Sequence, residues 1–112
     1  MTQAFDFHPF ALPDDAARIR AELREWLAHY APRTPPAKRA NCWSEADPAF
    51  SRALGTAGYI GMCWPHRYGG RDAHPLARYV VIEELLAAGA PVAAHWIADR
   101  QTGPLLLKYG TE

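Results

Sequence analysis

The stretch YIGMCWPHRYGG, residues 59–70, limits the fold more than any other part of the chain. A helix cannot run through it. Pro65 lacks a backbone donor and biases Trp64 toward an extended conformation. Gly69 and Gly70 permit a turn with positive φ. Four bulky groups, Tyr59, Ile60, Trp64 and Tyr68, sit between these permissive positions. The segment predicts a rigid, aromatic, non-helical link between two helices.

On both sides of the link the apolar spacing is helical. Ile19, Leu23, Trp26, Leu27 and Tyr30 fall on one face, the pattern of an amphipathic helix. Pro13, Asp14 and Asp15 place a helix-compatible proline and two carboxylates at the positive end of its dipole. A first helix is therefore predicted from Asp14 to about Tyr30, stopped by Pro32, with Trp26 buried. Asp47 as N-cap and Pro48 in the first turn predict a second helix. Its stripe is Phe50, Leu54 and Ala57, and Gly58 suits a left-handed end. A third helix is predicted from Pro75 to about Ala88, ended by Gly89, and apolar on so many sides that it should be largely buried. Residues 92–101 and 103–109 read as a fourth helix and a short fifth, with Thr102 as a cap and Pro104 in a first turn.

The remaining segments are irregular. Residues 1–12 form an arm, and Phe5, Phe7, Phe10 and Leu12 are expected to pin it onto the helices. Residues 31–46 form a proline-rich, basic loop with Trp43 as its expected anchor. There is no internal repeat and no convincing strand alternation. The fold class is all-α: an orthogonal or up-down bundle of four to five helices with two long loops. Residues 13–112 form the domain and residues 1–12 the arm that precedes it.

Twelve basic and twelve acidic residues cancel, which argues against a nucleic-acid partner. No apolar run approaches the length of a membrane span. The first residues lack the basic start and apolar run of a secretory signal. Cys42 and Cys63 are then expected to be free thiols in a reducing cytoplasm.

Few residues have the spacing that chemistry requires. Cys63, His66 and His74 supply one tight ligand pair where zinc sites use two, so no metal site is expected. Neither cysteine carries the marks of an activated nucleophile. Gly55, Gly58 and Gly61 close a helix, whereas phosphate-binding glycines open one. Glu83 and Glu84 point about 100° apart on a helix and cannot form a dyad. One is expected to face solvent and the other to pair with an arginine such as Arg67, Arg71 or Arg100. The segment AHWIADRQTG, residues 94–103, sets His95, Asp99 and Arg100 among apolar neighbours. On its residues alone it reads as a partly exposed helix with Trp96 and Ile97 toward the core.

Three segments, RALGTAGYIGMCWPHRYGG, VVIEELLAAGAP and GPLLLKYGTE, occur in that order. Together they resemble the N-terminal α-helical domain of the flavin-dependent acyl-CoA dehydrogenases. The resemblance implies part of an enzyme that performs α,β-dehydrogenation of acyl-CoA thioesters with FAD. In that family the flavin contacts and the catalytic base lie in later domains. The resemblance therefore implies no catalytic and no cofactor-binding residue here, and the isolated chain is expected to bind no FAD. It does imply one wall of the acyl slot. Placing the Gly-Thr-Glu ends together makes Ala94, Ile97, Ala98 and Gln101 the substrate-binding positions, and their spacing puts them on one helical face. The two alanines leave room for a bulky acyl group, branched or polycyclic.

The implied partners are the acyl-CoA substrate and the remaining dehydrogenase domains or a flavoprotein subunit. The third helix and Leu105, Leu106 and Leu107 should then be open and apolar, so the isolated chain is expected to self-associate. A second reading also stands, a stand-alone, non-catalytic helical module that kept the domain and acts as an interaction or regulatory subunit. The end at Glu112, without a polar tail, favours the first.

Overall fold

The computed structural model describes residues 4–30 and 34–112. Pro32 lies outside them. All regular structure among the described residues is helical: α1 (Ala16–Tyr30), α2 (Pro36–Ala40), α3 (Pro48–Thr56), α4 (Pro75–Ala87), α5 (Ala93–Ile97) and α6 (Gly103–Tyr109). Short 3-10 turns cover Cys42–Ser44 and His66–Tyr68, and a π turn covers Ala98–Thr102. No described helix is long and apolar enough to cross a membrane.

Local chemistry sets the ends of α3 and α4. The Asp47 carboxylate accepts the Phe50 N–H at 3.0 Å, which satisfies one of the donors that a helix start leaves free. At the other end Gly58 takes φ 86°. Tyr59 N–H returns to the Leu54 carbonyl and Gly58 N–H to that of Gly55, the paired bonds of a Schellman end. α4 closes the same way, from Ala90 to Leu85 and from Gly89 to Leu86. Its start is capped by His74, whose Nδ1 accepts the Leu76 N–H at 3.1 Å.

The core lies between α1 and α4 and is closed by α3. Leu23, Leu54, Val80, Val81 and Val92 are its fully buried members, with Ile19, Leu27, Phe50, Met62 and Leu85 around them. The predicted α1 face is the observed one at Ile19, Leu23 and Leu27, whereas Tyr30 is 58% exposed and Trp26 is only half-buried. Trp26 lies at the edge of the buried face. Its ring stacks on Tyr30 and packs beside Phe50 and Tyr59. α1 begins at Ala16 rather than Asp14, because the Ala16 N–H closes a turn on Pro13 O. α4 is less enclosed than its sequence predicts: Tyr79 and Leu86 are exposed.

Three expectations fail where burial depended on distant segments. Phe5, Phe7 and Phe10 are more than four-fifths exposed and Leu12 is 41% exposed, so none of the four is buried on the helices. Phe5 and Phe7 stack on each other instead, with centroids 6.0 Å apart. Trp43 is 62% exposed and does not anchor its loop; Cys42 beside it is buried and does. The Cys42 and Glu45 carbonyls accept the Val92 and Ala93 N–H groups, which ties the loop to the start of α5. Glu84 is buried as expected of one acidic neighbour, but its partners are Arg20 and Arg24 of α1, not Arg67, Arg71 or Arg100. Arg24 Nε donates to it at 2.6 Å, and Arg20 bridges it to the more exposed Glu83. This cluster sits on the seam between α1 and α4, where a buried carboxylate is tolerated because both oxygens are hydrogen-bonded.

Candidate functional site

The aromatic link and the last helical segments meet at Trp64. α5, the π turn and α6 form one rod, because Thr102 keeps helical dihedrals (φ −65°, ψ −44°) and makes no side-chain cap. The predicted break at Thr102 is absent for a physical reason. Pro104 cannot donate to the preceding turn, and the chain accommodates this by widening one turn, so that Gly103 N–H reaches back five residues to Ala98 O. Wide turns of this kind are rare in regular helices.

Trp64 fixes the link against this rod. A Cβ on Gly103 would lie 2.2 Å from its ring and one on Gly61 would lie 2.6 Å from it, so only glycines allow the indole between them. Gly70 packs equally closely on the Trp64 carbonyl, at 1.9 Å for a hypothetical Cβ. The Gly-Gly pair thus divides its work: Gly69 turns the chain with φ 84° and Gly70 permits a close approach. The indole Nε1–H is buried without a partner among the described residues.

The rod has two chemically different faces. Ala94, Ile97, Ala98 and Gln101 are all exposed, Ile97 at 57%, and share the outer face. The structure therefore brings the four expected substrate-facing residues together. It does not turn Ile97 inward, as the bare helical reading had it. Trp96 does pack against the core, and Arg100 lies over its ring at 4.5 Å. The inner face carries His95 and Asp99. His95 Nδ1 and Ser51 Oγ of α3 are 2.7 Å apart, and the buried Asp99 carboxylate accepts the Gly61 N–H at 2.6 Å. Neither link was legible in the sequence. The available signal was the spacing of two polar residues one turn apart on an otherwise apolar side.

Beyond the π turn the surface is apolar and open. Leu105, Leu106 and Tyr109 are exposed, Leu106 at 62%. A shallow groove of about 540 Å³ runs between Trp64, Arg67 and Tyr68 on one side and Leu106 and Leu107 on the other. Glu112 closes one end, accepting from Tyr68 Oη at 2.9 Å.

Among the described residues no side chains are arranged as an activated nucleophile, a metal centre or a flavin cradle. Burial pushes the Cys63 thiol up, the reverse of what an attacking thiolate requires. Among the described residues no three His, Cys, Asp or Glu side chains gather to hold an ion. The glycines at 55, 58 and 61 stand at and just beyond the carbonyl end of α3, where the Gly58 N–H is used in the Schellman end and the Gly61 N–H is given to Asp99. A flavin diphosphate needs free N–H groups at a helix start, so these residues do not fit one.

Two groups make folding sensitive to acid. Burial lowers the His95 imidazole below its ordinary value of 6.5, with Asp99 opposing. Hydrogen bonds from Arg24, and then from Arg20, hold the Glu84 carboxyl below its ordinary 4.5 against the effect of burial. Each group binds fewer protons folded than unfolded, so its contribution is complete above the ordinary value and is lost as pH falls through and below it. The thermal midpoint is expected to decline in two stages on acidification, first below 6.5 and then below 4.5. Glu84→Gln should flatten the second stage and leave the first, and an unaltered second stage in that variant would contradict the assignment.

Comparison with known proteins decides the lineage of this arrangement. The model of the acyl-CoA dehydrogenase N-terminal domain matches residues 13–112. The chain belongs to the acyl-CoA dehydrogenase family. It is similar to the acyl-CoA dehydrogenase IpdE1 of Mycolicibacterium smegmatis, at 30% identity over 105 residues that cover 87% of this chain and 26% of IpdE1. It is also similar to FadE12 of Mycobacterium tuberculosis, at 25% identity over 92% of this chain and 26% of that protein. Among solved structures, the Tcur3481-Tcur3483 steroid ACAD superposes with a TM-score of 0.65 and 30% identity, over 91% of this chain and 27% of that one. A variant of the same protein gives a TM-score of 0.68 at 29% identity, over 87% of this chain and 26% of that one. The chain thus spans about a quarter of the length of the acyl-CoA dehydrogenases it matches. The all-helical fold and the family both agree with the resemblance drawn from the sequence, and enzymes of this family generally use FAD.

Proposed function

We propose that this chain is the N-terminal portion of an FAD-dependent acyl-CoA dehydrogenase and supplies one wall of its acyl slot. Residues 13–112 are the domain, and residues 1–12 lie outside it. The reaction is α,β-dehydrogenation of an acyl-CoA thioester. The flavin, held by domains or a subunit outside these residues, would supply the redox chemistry, and the base that takes the α-proton would lie there too. The residues of this chain bind and orient: Ala94, Ile97, Ala98 and Gln101 face the acyl group, Gln101 as the polar member. The observation that carries the reading is that these four share an exposed face of a rod anchored from behind. Two alanines on that face leave space, and the likeness to a steroid ACAD supports a bulky, polycyclic acyl group as the substrate class.

Thioester-dependent reduction of an electron-acceptor dye tests this. Activity is expected when the chain is joined to the flavin-holding remainder of the enzyme, and none from the 112-residue chain alone. Turnover or bound FAD in the isolated chain would contradict the division of labour.

The exposed leucines of α6, with Tyr79 and Leu86 of α4, are the surfaces that meet the other domains. With no net charge to keep copies apart, the isolated chain is expected to self-associate through them. Light scattering should show a mean mass that rises with concentration; a monodisperse monomer at high concentration would contradict it.

A further inference from the structure

We propose that Asp99 is a positioning residue that sets the register of the substrate-facing wall. The proposal rests on the slot reading for its effect on substrates and on geometry alone for the clamp itself. Asp99 lies inside the π turn, and its carboxylate is buried. Its Oδ1 accepts the N–H of Gly61, 38 positions away, at 2.6 Å. Gly61 is buried as well, and no other acceptor for that N–H is found among the described residues.

A π turn is the part of a helix with the weakest claim to one register, because it can relax by a residue into regular α geometry. Relaxation by one residue rotates a helix by about 100°. Here that would carry Ala98 and Gln101 off the outer face and bring their neighbours forward. Asp99 opposes the shift because its carboxylate is committed to a fixed point on the aromatic link. Gly61 is itself held by the Trp64 ring, which also abuts Gly103 at the far end of the same turn. His95 provides the second hold one turn earlier, on Ser51. The two inward bonds define which residues point outward. Asp99 touches no substrate in this account; it acts through Ala98 and Gln101.

Amide hydrogen exchange and proton chemical shifts on this chain test the clamp. In Asp99→Ala the Gly61 amide should exchange at least about tenfold faster, a charged hydrogen bond having been removed. Exchange across residues 97–103 should rise with it, while Leu23 and Val80 in the core keep their protection. Equal acceleration at all sites, or none at Gly61, would overturn the proposal. Asp99→Asn keeps an acceptor and guards against a variant that fails to fold. It should retain the protection of residues 97–103 and move the Gly61 amide proton upfield, and an unmoved resonance would overturn the bond.

In the assembled enzyme Asp99→Ala should raise KM more for bulky than for short thioesters with kcat less changed, and Asp99→Asn should restore the ratio. A uniform loss of kcat across all thioesters would overturn the positioning role. Failure of the slot reading would look different: substitutions at Ala98 itself would then leave every thioester unaffected, whatever Asp99 does to exchange.

Discussion

Phe50→Ala is expected to lower the unfolding free energy by about 3–5 kcal/mol, the cost of emptying a large aromatic site that cannot collapse. Phe50 is 4% exposed and stands where α3 closes the core between α1 and α4. Its ring meets Trp26 at 5.7 Å between centroids, so truncation removes both buried area and an aromatic pair. Trp26→Ala, which sequence periodicity alone places in the same range, should cost less. One side of that indole is open to solvent, and its stacking on Tyr30 at 4.7 Å is a surface contact. Chemical denaturation of both variants checks the order. An unchanged midpoint for Phe50→Ala, or a larger loss for Trp26→Ala, would mean that the core is centred elsewhere.

That contrast shows what periodicity can convey. The spacing of Ile19, Leu23 and Leu27 identifies the face of α1, and all three are buried. It does not say how far a neighbouring element extends over the edge of that face, which is what decides Trp26. The caps were legible because they are local: Asp47 and Phe50 are three residues apart, and the Schellman ends at Gly58 and Gly89 involve six consecutive residues each. The Glu84 cluster was not, because Arg20 and Arg24 lie 64 and 60 positions away. Nor was the exposure of Trp43 and of the arm phenylalanines, since an aromatic side chain in an irregular segment carries no periodicity that points it inward.

The candidate site divides in the same way. The outer face of the rod follows from the helical spacing of Ala94, Ile97, Ala98 and Gln101 once the family's Gly-Thr-Glu end fixes the placement. The inner face does not. Asp99 meets Gly61 from within the widened turn that precedes Pro104, and a proline in a helical pattern reads as a boundary unless the backbone is seen to accommodate it. Gly70 and Gly103 gave a similar problem. As letters they are turn residues, but in the fold their missing side chains make room for the Trp64 backbone and ring.

The largest functional effect is expected from Ala98→Trp in the enzyme assembled from this chain and its flavin-holding remainder. Ala98 opens the π turn and is exposed at the middle of the outer face, so an indole there projects away from the core and leaves the bundle intact. On the proposed slot reading it would fill the space that the two alanines provide and displace the acyl group from the reacting groups. Misplacement on the ångström scale costs about 10²-fold in rate. The measurement is kcat/KM by dye reduction for a panel of acyl-CoA thioesters from short and straight to polycyclic, in wild type and in Ala98→Trp. The expected result is a loss of about 10²-fold or more for the bulkiest thioesters that shrinks toward the shortest. Equal kcat/KM values for wild type and variant across the whole panel would contradict the claim that this helix face holds the substrate.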